Sequence, residues 1–360
     1  MTTASFYDED EAATATAGTG QNLMKANLFN LIVVASNPER ITRCQELIRI
    51  ITEKYPCRII FVKADPTNEA DYVRSTTTLQ TVGTGSNRVL CDLITIEASL
   101  TQFPKIPYLV LPHILPDLPL SILLSADPTT DKLILPELQS AAQRVIFDVD
   151  EIENISQYAQ RILAALEHLT CDCIDMHWAQ TRAWRDALSR VFNTSELFSQ
   201  LFKSKTIQLS YVSAPEKRNV KSRPELQAIY IVAWLAAKLG WSLLSIEREE
   251  KNIRISFKYD HVSVIISLVP KDTEILPAGA LFSFEAMSHC DFHFLVAHEN
   301  DPKIVKVHAS NPERCEMPYS IFLPNYQNGP ALVSELFYQA PSEHYLAALK
   351  ELSHIMWSQA

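Results

Sequence analysis

Hydrophobic positions change rhythm along the chain. Leu28 to Ala35 is a near-continuous apolar run, the pattern of a strand buried on both faces of a sheet. Ile41, Cys44, Leu47, Ile48 and Ile51 then recur at helical spacing, behind Ser36 or Asn37 as cap and Pro38 in the first turn, which predicts a helix. Arg58-Ile-Ile-Phe-Val at 58–62 is a second buried strand. Together these make a βαβ unit, parallel and right-handed. Thr67 to Asn87 is polar and rich in Ser and Thr, whereas Arg88 to Glu97 and Arg144 to Val149 read as further strands around a proline-punctuated stretch from Ile106 to Ala126. Helices follow at 155–168 and 175–192, and Phe202 to Thr206 looks like a boundary.

Beyond it the period shortens to two. Ile253, Ile255, Phe257 and Tyr259 share one face and Arg254, Ser256 and Lys258 the other, and similar segments recur at 242–248, 262–269, 281–287, 292–298 and 304–309. This pattern predicts an antiparallel meander. Ser222-Arg-Pro-Glu225 has capping-box spacing ahead of a helix from Leu226 to Leu239 that Gly240 would stop. Apolar residues nearly encircle that helix, so it should lie buried against the sheet. Two helices close the chain, one near 330–338 and one from Ser342 with Tyr345, Leu349, Leu352 and Met356 at helical spacing. The division expected is a disordered tail over 1–27, an α/β domain with connecting helices over 28–205, and an α+β domain over 206–360. The fold class is a Rossmann-like parallel-sheet domain without a dinucleotide fingerprint, joined to a domain with an antiparallel sheet and flanking helices.

Composition narrows the function. Against 42 Asp and Glu the chain has 32 Lys and Arg, a formal charge of −10 over 360 residues, which argues against a protein built to neutralise nucleic-acid phosphates. Seven cysteines without framework spacing, and no basic-then-apolar leader, point to reduced thiols in the cytoplasm. The longest apolar stretch, Ile106 to Leu124, holds four prolines, His113 and Asp117, which disfavours a membrane span. There are only 7 glycines. Gly18-Thr-Gly20 and Gly83-Thr-Gly85 are the GxG pairs, each without the third glycine, and Gly83 sits before a strand rather than between a strand and a helix as phosphate binding demands; no cofactor is expected. His168, Cys171, Cys173 and His177 lack the C-x2-4-C spacing of a structural zinc site, so no metal is expected either. His289, Asp291 and His293 fall on one strand face, where an ordinary polar face is the better reading. No catalytic triad or carboxylate pair has an identifying context.

Two local features stand out. Trp178, Arg182, Arg185 and Ser189 form a narrow stripe beside the core stripe His177, Thr181, Trp184, Leu188 and Val191 of the helix over 175–192. Trp and Arg are the types most enriched in interface hot spots, which makes Trp178, Arg182 and Arg185 candidate partner-binding residues; the blander reading is Trp–Arg packing within the chain. Lys217, Arg218, Lys221 and Arg223 form a basic run before a helix start, a candidate anion site or simply solvated loop charge.

The order of segments resembles a known family. Tyr108 to Leu120 (Tyr-Leu-Val-Leu-Pro-His-Ile-Leu-Pro-Asp-Leu-Pro-Leu), Ala142 to Asp148, and Asp175 to Arg185 are similar to the OpcA family of glucose-6-phosphate dehydrogenase assembly or activator proteins. Val232 to Trp241 and Glu343-His-Tyr agree. The chain departs from the family pattern at Leu123 and Leu124, where tryptophans are common, at Gln180, where Arg is usual, and at Cys91-Asp-Leu, where Cys-x-Glu is usual. The resemblance implies a cytoplasmic, non-catalytic protein that binds glucose-6-phosphate dehydrogenase and favours its assembly or active conformation, with no cofactor, nucleic acid or membrane of its own. The alternative of another class is a small-anion or sugar-phosphate sensor.

Overall fold

The computed structural model describes residues 24–65, 71–83, 88–125, 138, 141–148, 152, 154–167, 171–213, 223–249, 251–324, 329–337 and 343–354. Most of the segment expected as a tail therefore lies outside the described residues.

The first sheet is the expected Rossmann-like one. Its strands are β1 (Met24–Lys25), β2 (Asn30–Ala35), β3 (Arg58–Asp65), β4 (Val73–Val82), β5 (Val89–Ser99), β6 (Leu120–Ser125), β7 (Arg144–Phe147) and β8 (Asp172–Asp175). They run in the order β1-β5-β3-β2-β6-β7-β8, all parallel, with β4 antiparallel on β5. Every residue of β2 and β6 is buried, as continuous apolar runs require when both faces are covered. Helix α1 (Pro38–Thr52) follows β2, α2 (Ile106–Val110) precedes β6, and α3 (Ile155–Leu166) lies between β7 and β8. β4 falls in the stretch taken as merely polar. Only its last residue, Val82, is buried, so no alternation betrays it; β-branched threonines and backbone pairing along its length hold it as a strand.

The helix expected over 175–192 is two helices, α4 (Met176–Gln180) and α5 (Arg182–Val191). They meet at Thr181, whose φ of −77° and ψ of −4° break the helical course and whose hydroxyl donates to the Trp178 carbonyl at 2.7 Å. Helix α6 (Ser195–Phe202) then leads through Lys203 into β9 (Ser204–Val212).

The second sheet has the order β10-β11-β12-β9-β13-β14-β15-β16, comprising β10 (Ser242–Glu249), β11 (Asn252–Tyr259), β12 (Val262–Lys271), β13 (Leu281–Ser288), β14 (His293–His298), β15 (Ile304–Ser310) and β16 (Tyr319–Phe322). It is mixed rather than a simple meander, because β9 inserts between β12 and β13 and runs parallel to β12. Helix α7 (Leu226–Leu239) is buried almost all round and ends at Gly240 with φ 65°, as expected. Ser222 of the expected capping box lies outside the described residues. Glu225 stands at the cap position without a side-chain cap bond and instead meets Arg248 at 3.1 Å.

Helices α8 (Gly329–Phe337) and α9 (Glu343–His354) return to the first sheet. Ser156 on α3 donates to the Ser353 carbonyl on α9 at 2.8 Å, and Arg144 on β7 donates to the Glu335 carbonyl on α8 at 2.7 Å. One apolar core spans both sheets. Among the described residues no helix is long and apolar enough to cross a membrane.

Candidate functional site

Open parallel sheets bind ligands outside the carboxyl ends of their strands, where the strand order reverses. Here that point lies at β2 and β6. The loop leaving β2 reads Ala35-Ser36-Asn37-Pro38. Asn37 accepts the Arg40 N–H on its own Oδ1 at 2.8 Å, and Pro38 has no N–H to give. The Arg40 guanidinium reaches across to the Ser125 carbonyl at the end of β6, at 3.3 Å. Arg43 pairs at 2.7 Å with Asp148, buried beyond the end of β7. A pyrophosphate needs close backbone approach and unspent helix N–H groups; these residues do not fit a dinucleotide. Cys44, behind them, has its thiol pushed up to about 12 by burial first and then by the Asp148 charge. Gly83 sits in the turn between β4 and β5, and Gly18, Gly20 and Gly85 lie outside the described residues.

The functional chemistry concentrates instead where β8 hands over to α4. Asp175, fully buried, caps α4 by accepting the His177 N–H at 2.7 Å and the Trp178 N–H at 3.3 Å on Oδ1. Its Oδ2 accepts the Tyr158 hydroxyl at 2.6 Å. Burial is the largest influence and raises this carboxyl above the ordinary Asp range, while His177 and the hydrogen bonds oppose it. Tyr230 and Tyr345 complete the surroundings, packing on Trp178 with ring centroids 6.1 and 5.5 Å away.

Trp178 is 1% exposed, so it cannot present a face to a partner. That corrects the expectation for this residue and favours intrachain packing. The Arg185 guanidinium lies 3.5 Å from the Trp178 ring centroid and donates through Nη1 to the Trp178 carbonyl at 2.8 Å and to the Thr181 hydroxyl. Burial lowers its proton affinity below the usual Arg value. Arg182, one turn earlier and half-buried, donates to Ser334 on α8 at 2.8 Å. The break at Thr181 is what turns α4 wholly inward and leaves α5 with one face, carrying Trp184, against His298 of the second sheet.

These residues line a cleft of about 340 Å³ between α5, α7, α8 and α9. Among the members that the sequence reading did not single out as site residues are Trp234 and Lys238 on α7 and His344 on α9. Lys238 is the only charged residue on α7, a signal in retrospect; nothing in the sequence joins it to Arg182. Of the basic run, Lys217, Arg218 and Lys221 lie outside the described residues, and Arg223 is half-buried just ahead of α7.

The remaining clusters disperse. His289 and Asp291 sit in the turn between β13 and β14, with Asp291 at φ 57°, and only His293 is in the strand, paired with Glu285 at 2.7 Å. The shared face expected for them is lost because the chain must reverse there. His168 lies outside the described residues, Cys171 and Cys173 are buried, and among the described residues no group of His, Cys, Asp and Glu is placed to hold a metal ion. All seven cysteines are free thiols.

Residues 49–164 match the family described as glucose-6-phosphate dehydrogenase subunit N-terminal domain. A curated protein of Synechococcus elongatus, described as an OxPP cycle protein OpcA, is 25% identical over 252 residues, 67% of this chain and 54% of that protein. One of the same description from Synechocystis sp. is 25% identical over 157 residues, 44% of this chain and 31% of its own length. The chain thus spans about half the length of the first relative and about a third of the second. Among solved structures, a 3-ketoreductase of Actinomadura kijaniata, determined with TDP-benzene and NADP, superposes with a TM-score of 0.51 at 9% identity, over 91% of this chain and 95% of that one. The likeness is one of fold, a Rossmann-like sheet joined to a second sheet.

Proposed function

We propose that this chain, similar to the OpcA proteins, binds glucose-6-phosphate dehydrogenase and promotes its assembly or active conformation, in the cytoplasm and without catalysing a reaction itself. The match of residues 49–164 to a family named for that dehydrogenase carries the reading. The βα loop at Asn37 and Pro38 supports it: with Arg40 laid across the crevice, the hydride chemistry of a Rossmann oxidoreductase would have to come from the partner.

A binding protein activates only by holding the competent state of its partner more tightly than the incompetent one, and about 1.4 kcal/mol of difference moves that equilibrium tenfold. Trp178 contributes by fixing the α4–α5 junction that supports the surrounding surface, not by touching the partner itself.

The test mixes the purified full chain with purified glucose-6-phosphate dehydrogenase. Size-exclusion chromatography should show co-elution, and NADPH formation at a fixed dehydrogenase concentration should rise with added chain, while the chain alone forms none. Separate elution with an unchanged rate, or turnover by the chain alone, defeats the proposal.

A further inference from the structure

We propose that the cleft between α5, α7, α8 and α9 is a binding site for a small phosphorylated metabolite, its phosphomonoester held by Arg182, Arg185 and Lys238 and its body seated against Trp234. This goes beyond the dehydrogenase role and does not depend on it.

The argument begins with charge. In a chain carrying −10 overall, three cationic side chains from two helices converge on one cleft of about 340 Å³, at the small end of the range for ligand pockets. Two carboxylates also line it. Glu335 is buried, pairs with Arg144 at 3.1 Å and also feels Arg182 and Arg185, and Asp186, exposed at the rim, acts on Arg185, so two carboxylates face three cations. Lys238 is exposed in the last turn of α7 and has no carboxylate partner among the described residues. The cleft therefore keeps a local surplus of positive charge facing solvent.

Preorganisation is the second element. A guanidinium normally loses side-chain freedom when it binds an anion. That of Arg185 is already held flat on the Trp178 ring, and both of its bonds to the chain use Nη1. Its remaining donors keep the planar fork that matches phosphate oxygens. The charges of Lys238 and Arg185 are both felt at His344, where, with burial as the larger cause, they pull the imidazole below its ordinary proton affinity. Arg182 and Arg185 on α5 and Lys238 on α7 line the same cleft, so one ligand can meet cations from both helices. Trp234, 8% exposed and one turn before Lys238 on α7, and the buried Ile174 also line the cleft, which adds an apolar part suited to the carbon skeleton of a phosphate ester rather than to a bare ion.

Isothermal titration of the full chain with glucose 6-phosphate, inorganic phosphate and glucose tests this at constant ionic strength. Glucose 6-phosphate should bind saturably and more tightly than inorganic phosphate, and glucose should not bind. Lys238→Gln and Arg182→Gln, both at half-buried or exposed positions, should each weaken binding about tenfold, as loss of a charged hydrogen-bond donor implies, with unchanged circular dichroism. No saturable binding of the ester, binding no tighter than that of inorganic phosphate, or binding indifferent to both substitutions overturns the assignment. So does loss of dehydrogenase binding in the two variants without any binding of the ester by the parent chain, because the cleft would then receive an acidic side chain of a protein partner.

Discussion

At the scale of single residues, Asp175 does the most. One carboxylate caps α4, orders Tyr158 and lies at the centre of an aromatic group holding Trp178. Burial raises its pKa, so the folded state takes up its proton more readily than the unfolded chain. The contribution to stability is accordingly full below the ordinary Asp range and falls as pH climbs through the raised value. Asp175→Asn keeps the shape and removes the charge. Its destabilisation relative to the parent should therefore be larger at pH 4 than at pH 7. Urea melts of both proteins at the two pH values measure it; a gap that widens toward pH 7 refutes it. Sequence exposes Asp175 as a helix start and Trp178 and Arg185 as neighbours on a stripe, yet not their burial. Helical spacing fixes angles along a single helix, and the break at Thr181 cancels that geometry between residues 178 and 182.

Among elements, those with strong local signals are the ones the chain announces. Asn37 caps α1 and Gly240 ends α7, each through a side chain or backbone conformation that is decided within one turn. The position of β9 beside β12 is not announced, because pairing between strands more than fifty residues apart is settled by packing rather than by either strand's own pattern. Helix α8 illustrates the same limit. Its first residue, Gly329, lies so close to Ile50 on α1 that a Cβ there would collide with the Ile50 side chain. Gly329→Val should cost about 1–3 kcal/mol, as overpacking of a filled contact does, and Ile50→Ala should recover part of it in the double variant. Thermal melts of the three proteins decide the matter; a neutral Gly329→Val disproves the close packing of α8 on α1.

For the whole molecule, the two sheets share their helices. Tyr345 of α9 is buried between Trp178 and Tyr230, which belong to opposite halves of the chain, and α9 also packs on α3. Tryptophan fluorescence and far-UV circular dichroism should therefore report one coincident urea transition, and Tyr345→Ala should lower its midpoint by about 3–5 kcal/mol of stability. Two separated transitions in the parent would show independent halves. Legibility ends at this scale. The parallel sheet, the alternating second sheet and the family resemblance can be read from the chain, whereas the cleft joins Arg182, Lys238 and His344 across more than 150 positions and exists only once α9 has folded back. The blocked crevice has an engineering corollary. Building a dinucleotide site there would require at once a donor in place of Pro38, a glycine in place of Asn37 and a shorter side chain at Arg40. No single exchange removes all three obstacles, so a library of point mutants should contain no dinucleotide binder.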